Sequence, residues 1–305
     1  MGEDHYVAPD GTRIERGPER DRLEAMAVPP AYEDVWMTPR ENGHLWASGR
    51  DARSRKQYRY HPDWRLAREA TKPEGLAAFG AALPRIRGWA DRALDGDPGD
   101  FDTALAVVLS LMDRASLRVG AQHYARENQT FGATTLEGRH VKKKGDAVLL
   151  DYRAKGGEPV HKRLHGRRLD RAIHRCADLS GATLATWIDA SGASQPIRSE
   201  QVNERISDLS DGAGTAKTFR TWNGTFAAFR AALETSDPTI KLLSKAASEV
   251  LHNSPTIARN SHIHPRVIDL ASSSVERREA LRDAPDWTGK SHQRAGESRL
   301  IEFLE

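Results

Sequence analysis

Leu251 to Arg266 reads L-H-N-S-P-T-I-A-R-N-S-H-I-H-P-R, and its two prolines divide it into separate elements. A helical run from Ile240 to Leu251 arrives there, and Asn253-Ser254-Pro255 interrupts it. A second short element then ends at Ser261-His262-Ile263-His264, before Pro265. Proline stops a helix and pushes the residue before it toward extended conformations. Ser261 to His264 is therefore expected on an exposed bend of fixed geometry, where a reacting side chain can be presented. A plain turn between helices, carrying surface histidines, accounts for the same letters, since many loops only connect.

Around that stretch the chain has 305 residues and 38% hydrophobic content, enough for a real core and two domains. Its one cysteine, Cys176, rules out a disulfide framework and a thiolate metal site, and fits a reducing compartment. No apolar run approaches membrane-span length, so no membrane association is expected. The opening Met1-Gly2-Glu3-Asp4-His5 is not a signal peptide, and Tyr6 stands where a myristoylation motif wants Ser or Thr. An intracellular protein is expected.

Net charge is only +3, but it is unevenly spread. Residues 138–172 hold eleven Lys/Arg against four Asp/Glu, and residues 49–59 hold five against one, leaving the remainder net acidic. A basic patch on an otherwise acidic protein suggests a polyanion-binding face, while either run alone reads more simply as a solvated charged surface.

In chain order, residues 1–31 are polar with one helix around Glu19 to Met26. Tyr32–Met37 and His44–Ser48 read as strands flanking Asn42-Gly43, a strong hairpin signal. A basic tail interleaved with aromatics follows: Arg50, Arg53, Arg55, Lys56, Tyr58, Arg59, Tyr60 and His61. Cations meet phosphates while tyrosines pack on sugar or base, as nucleic-acid surfaces require. From Glu74 to about Ala115 the pattern is helical, with Leu105 to Met112 apolar nearly all round and hence buried. Residues 139–164 read as three antiparallel strands, with Lys155-Gly156-Gly157 at the second turn. Helices are expected over 169–179, 200–209 after Ser199 as N-cap, 216–234 after Thr215, and 240–251. Arg220, near the start of the third, is placed to face an anion with help from the helix dipole. Residues 274–305 alternate in charge and read as an amphipathic or partly frayed tail. There is no internal repeat, no P-loop and no Gly-x-Gly-x-x-Gly.

Several segments together resemble the type IB DNA topoisomerases in their compact poxvirus-like and bacterial form. In the first 73 residues the resemblance rests on PPAYEDVW (29–36) and GRDARSRKQYRYH (49–61). Beyond them it rests on DRASLRVG (113–120), YARENQTFGATTL (124–136) and the Lys155 turn. TAKTFRTWNGT (215–225) and NSPTIARNSHIHP (253–265) complete it, so it covers roughly residues 10–270.

The resemblance implies an α+β fold in three parts. Residues 1–73 would form a small β-rich DNA-clamp domain, and 74–272 a larger, mainly helical catalytic domain with a three-stranded antiparallel sheet. Residues 273–305 would form a charged C-terminal tail. It implies a monomer acting on double-stranded DNA without cofactor or metal, in the cytoplasm or on the bacterial nucleoid. In the family's reaction a tyrosine attacks a DNA phosphodiester, expels the 5′-oxygen and holds a 3′-phosphotyrosyl bond while the free end rotates. Covalent storage of the bond energy removes the need for ATP. The implied catalytic residues are Arg118 and Arg220 clamping nonbridging oxygens, and Lys155 protonating the leaving oxygen. Asn253 would donate to the same phosphate, where other members use histidine. The implied DNA contacts are Arg50, Arg53, Arg55, Lys56, Tyr58, Arg59, Tyr124, Lys142, Lys143, Lys144 and Lys217.

One position departs from the pattern. The family tyrosine falls between Ser261 and Ile263, where this chain has His262. The reacting nitrogen of an imidazole sits closer to the backbone than a phenol oxygen, by on the order of 2 Å from ordinary bond lengths. A misplacement of about 1 Å can slow an oriented reaction ~100-fold. The expectation is therefore a scaffold that binds DNA and cleaves it poorly. Two other readings stay open: attack by His262 itself, and a tyrosine-recombinase-like strand exchanger. Against the latter, Lys217-Thr218-Phe219-Arg220 stands where recombinases usually carry His-x-x-Arg. A metal site at His252, His262 and His264 is weaker, with no carboxylate or cysteine nearby in sequence.

Overall fold

The computed structural model describes residues 6–52, 54, 56–64, 75–144, 147–179, 181, 183–286 and 291–305. Arg53, Arg55 and the expected domain boundary at residue 73 lie outside the described residues. The chain divides into two compact units, Met1–Lys72 and Pro73–Glu305.

In the first unit, helix α1 (Pro18–Ala25) precedes an antiparallel sheet of β1 (Glu33–Met37), β2 (Leu45–Arg50) and β3 (Lys56–Tyr60), in that order. Asn42-Gly43 lies in the β1–β2 connection, as its turn chemistry dictates. The basic stretch expected as a tail instead returns as the third strand, with Ser48 opposite Tyr58 and Arg50 opposite Lys56. Pairing satisfies a backbone edge on β2 that would otherwise stay open. Leu23, Met26 and Ala47 supply the buried contacts of this unit.

The second unit begins with α2 (Leu76–Ala93) and α3 (Phe101–Ala115). Every residue of α3 from Thr103 to Asp113 is buried, as a helix apolar on all sides must be. After α4 (Gln122–Asn128) come β4 (Val141–Lys144), β5 (Ala147–Arg153) and β6 (Pro159–His165), a three-stranded antiparallel sheet. Gly156 and Gly157 close its second turn at φ 87° and 79°, left-handed positions that glycine adopts without steric penalty. Then follow α5 (Arg167–Ala177), a small hairpin of β7 (Thr186–Ile188) and β8 (Ser194–Pro196), and α6 (Ser199–Leu209). The hairpin has no counterpart in the sequence reading. Helices α7 (Ala216–Glu234) and α8 (Ile240–Leu251) pack on each other, and α9 (Pro255–His262) and α10 (Pro265–Ile268) follow. This is the expected α+β arrangement. One cap differs: α6 is capped by Arg198, whose N–H bonds Gln201 Oε1 at 2.9 Å, so Ser199 is already helical. Among the described residues no helix is long and apolar enough to cross a membrane.

Two expectations are corrected. The bend at Ser261–His264 forms with Ser261 exposed, but the rest of it is buried: His262, Ile263 and His264 keep only 7%, 7% and 6% of their surface. Gly224 on α7 lets that backbone in, because a Cβ there would stand 2.7 Å from the His262 carbonyl oxygen. The Thr225 hydroxyl one residue on donates to the same carbonyl at 3.4 Å and accepts the His264 N–H at 3.0 Å. The Gly-Thr pair thus draws the bend inward.

The C-terminal stretch is not a frayed tail. Helices α11 (Val275–Asp283) and α12 (Glu297–Leu304) belong to the larger unit, and Leu300, Phe303 and Leu304 are buried in it. Glu297, 1% exposed, accepts two hydrogen bonds from Arg87 at 2.6 and 2.7 Å and one from Trp222 Nε1 at 3.1 Å. Arg87 also binds Asp113 at 3.0 and 3.1 Å, and Arg294 closes on Asp113 Oδ2 at 2.8 Å. Burial works against the charge on Arg87, but Asp113 and Glu297 outweigh it and its pKa is raised. Breaking one partner out of a buried ion pair strands the other charge. Glu297→Ala is therefore expected to destabilise the protein by about 3 kcal/mol, read as a lower urea midpoint at unchanged m-value. An unchanged midpoint would show that α12 is dispensable to the core.

Candidate active site

Helix α3 ends at Ala115, and Ser116 turns the chain out of it in the left-handed conformation at φ 55°. Asn223 on α7 fixes that turn, its Nδ2 donating to the Asp113 carbonyl at 2.9 Å and to Ser116 Oγ at 3.0 Å. The segment Leu117–Gly120 then pairs with the backbone of Gly132–Thr134. Ala133 N–H bonds the Arg118 carbonyl at 2.8 Å, and Thr134 N–H bonds the Val119 carbonyl at 2.8 Å. A Cβ on Gly132 would stand 2.6 Å from the Arg118 oxygen, so only glycine permits this approach. The motifs at 113–120 and 124–136 are thus two sides of one close backbone contact, and that contact places Arg118.

Arg220 comes from the start of α7 and is 4% exposed. It donates from Nη1 to the Ser116 carbonyl and from Nη2 to the Leu251 carbonyl at 2.9 Å. Its Nε is buried and finds no partner among the described residues. Arg118 is half-buried, and its side chain makes no hydrogen bond or ion pair among the described residues. The two guanidinium groups share a pocket with Ser116, Phe131, Tyr152, Ala154, Val160, Leu251 and His252. Among the described residues no carboxylate lines it.

The electrostatics follow from that absence of negative charge. Burial, then the charge of Arg118, lowers the Arg220 pKa to about 9, partly opposed by Tyr152. Burial lowers Arg118 as well. Tyr152 is 6% exposed, and burial raises its phenol against the pull of Arg220 and Arg118. His252 falls to about 4, from burial first and then from Lys162, Arg220 and Arg118. Lys162 is itself lowered by burial. Cations crowded without a counter-charge in a low-dielectric recess form a site for an anion.

Of the five expected catalytic positions, the structure brings Arg118 and Arg220 together. Lys155 stands exposed at the β5–β6 turn, one residue beyond the pocket-lining Ala154, with no hydrogen bond or ion pair among the described residues. Asn253 follows His252 in the chain, with both side-chain amide atoms buried and without a partner among the described residues. His262 does not line the pocket; its Nδ1 lies 3.4 Å from the Thr221 hydroxyl, beside Arg220 on α7.

The expected DNA contacts fall in both units. In the first, Lys56 Nζ sits over the Tyr58 ring at 5.6 Å, Arg59 is exposed, and Arg50 reaches Asp34 at 3.3 Å. Trp36, which sequence reasoning passed over, shares the Ser48–Tyr58 row and is 48% exposed. In the second, Tyr124 on α4, Lys142 and Lys144 on β4, and Lys217 on α7 are exposed, while Lys143 lies between the two β4 lysines.

His252 was weighed only as a weak metal ligand, and Lys162 and Tyr152 were not read as site residues. Two of them had a strand signal. Val160, Lys162 and Leu164 alternate on one face of β6, as Val148, Leu150 and Tyr152 do on β5. A lysine at an apolar register position marks an inward-facing charge.

Comparison with known proteins agrees with this layout. Residues 5–51 match the family described as "Bacterial DNA topoisomerase IB, N-terminal domain". Residues 61–254 match "Eukaryotic DNA topoisomerase I, catalytic core", a match that ends before position 262. The "DNA topoisomerase 1B" of Acanthamoeba polyphaga mimivirus is 22% identical over 275 residues, covering 84% of this chain and 81% of its own. The "DNA topoisomerase I" of Monkeypox virus and the "DNA topoisomerase 1B" of Vaccinia virus (strain Copenhagen) are each 22% identical over 244 residues, covering 78% of this chain and 76% of theirs. The chain belongs to the type IB DNA topoisomerases, a family of isomerases.

The depressed imidazole has a measurable consequence. A histidine held near 4 in the folded chain but near 6.5 when unfolded favours the native state in its neutral form. That stability is full above about pH 6.5 and is lost as pH falls toward 4. His252→Gln should therefore flatten part of the acid-side fall in Tm between those values. An identical pH profile for both proteins would remove His252 from the buried cationic cluster.

Proposed function

We propose that this chain is a type IB topoisomerase scaffold that binds duplex DNA as a monomer and cleaves it poorly, because position 262 lacks the phenol. The observation that carries this reading is the carboxylate-free pocket holding Arg118 and Arg220. Two preorganised guanidinium groups suit the spread negative charge of a phosphoryl group in transfer, the type of stabilisation that dominates such catalysis. The exposed Lys56, Tyr58, Arg59 and Trp36 of the first unit suit the clamp role, together with Arg50, Arg53 and Arg55. Tyr124, Lys142, Lys143, Lys144 and Lys217 would add phosphate contacts from the second. The site of action would be the cytoplasm or nucleoid.

Neither remaining nucleophile supports fast cleavage. Tyr152 is a buried phenol whose ionisation is disfavoured, on a strand paired along its length. His262 is buried against Thr221, away from the pocket lining, which weighs against the reading in which its imidazole attacks. With tyrosine at 262, the longer side chain would extend from the end of α9, beside the Arg220 turn of α7. On supercoiled plasmid, the unaltered chain is expected to relax its substrate far more slowly than the His262→Tyr variant. Equal rates would dismiss position 262 as the seat of the nucleophile.

Lys155 sits free at a glycine turn, next in chain to a pocket-lining residue, and is assigned the general acid for the leaving 5′-oxygen. A general acid contributes about 100- to 10,000-fold. In the tyrosine-restored protein, Lys155→Ala should slow single-turnover cleavage within that range, and a 5′-bridging phosphorothiolate should restore it. Failure of the better leaving group to rescue would assign the loss to binding instead.

A further inference from the structure

His252 is the pocket residue whose position is hardest to explain by packing alone. It ends α8 in the left-handed conformation at φ 49°, where glycine is the least strained choice and asparagine the usual second. Its Nε2 is buried and has no hydrogen-bond partner among the described residues. Among the described residues, the charged or titratable groups that face it are cationic or phenolic: Arg118 from the loop after α3, Lys162 from β6, Arg220 from α7, and Tyr152 from β5. The Nε of Arg220, in the same pocket, is a second buried and unpartnered polar atom. Two orphaned polar groups in one carboxylate-free recess, one of them on a strained backbone, have a common solution. A single anion can accept from both.

We propose that His252 is a further catalytic residue of this pocket, its Nε2 donating to the DNA phosphate that Arg118 and Arg220 hold. The inference rests on the reading of the pocket as the site of the scissile phosphate. It adds an imidazole to a set in which the sequence supplied only the Asn253 amide at this corner. It also gives the imidazole a property that an amide lacks. Without DNA, burial and three neighbouring cations keep the ring neutral, so it adds nothing to the repulsion among them. Arrival of a phosphate reverses the local field, and the ring's affinity for a proton rises. His252 then becomes a third cation around the phosphorus only when negative charge is there to meet it. Binding should take up a proton, and affinity should rise as pH falls through the pKa of the bound state.

The test uses the unaltered chain, a nicked DNA duplex with a 3′-phosphate at the nick, and the same duplex with a 3′-hydroxyl. Imidazole nitrogen resonances are assigned with His252→Gln and His262→Gln, each first checked for a cooperative melting transition at pH 7, where the His252 ring is neutral in both folded and unfolded chains. The 3′-phosphate duplex should shift the His252 Nε2 resonance and move its titration midpoint from about 4 toward the ordinary 6.5. The 3′-hydroxyl duplex should do neither. His252→Gln should abolish the pH-dependent part of the affinity while the salt dependence stays steep, since phosphate contacts elsewhere still release counterions. Salt-steep DNA binding with an unmoved His252 resonance would overturn this proposal and leave the DNA-clamp reading standing. Absent or salt-insensitive binding would overturn both.

Discussion

Arg220 ties three separate parts of the chain to one point. Its guanidinium donates to the carbonyl of Ser116, where α3 ends, and to that of Leu251, where α8 ends, while its own backbone belongs to α7. A guanidinium has five donors in a rigid fork, so two can hold the scaffold while another is presented to a ligand. The Ser116 turn is held again by Asn223 on the same helix. Once this crossing is fixed, Arg118, two residues beyond Ser116, and His252, one beyond Leu251, are both delivered to the pocket.

The protein buries arginines in two opposite ways. Arg87 lies between Asp113 and Glu297 with its donors satisfied, and its pKa is raised despite burial. Arg118 and Arg220 lie in a recess without carboxylates, and both are lowered. The first arrangement closes a core. The second leaves positive charge without a carboxylate beside it among the described residues. Asp113 joins the two regions, because its side chain belongs to the Arg87 cluster while its carbonyl accepts from Asn223, which also holds Ser116. The C-terminal segment enters this network through Arg294 and Glu297. It is therefore part of the larger unit's framework.

Much of this was legible in the letters. The all-round apolar run at Leu105–Met112 demands a buried helix, and Lys-Gly-Gly demands a tight turn. Thr215 and Pro255 mark helix starts, since capping and proline act within one turn of chain. What failed to show were effects of distant partners. Glu297 reads as one more charge in a polar tail until Arg87, far off in sequence, is packed against it. The Ser261–His264 bend reads as exposed until Gly224 and Thr225 admit its backbone. His252 reads as one histidine of three, because nothing local reveals which way a left-handed cap directs its side chain.

The sequence by itself determined the long helices, the Lys155 sheet, the family resemblance, the candidate arginines and the missing phenol at position 262. Each of these depends on residue identity and short-range spacing alone. Tertiary structure alone decided that Arg118 and Arg220 share a recess with His252, and that Lys155 and His262 stand outside its lining. It also decided that the charged C-terminus is core. The physical reason is the same in each case: burial and the sign of the local field are sums over neighbours that the chain brings together only on folding.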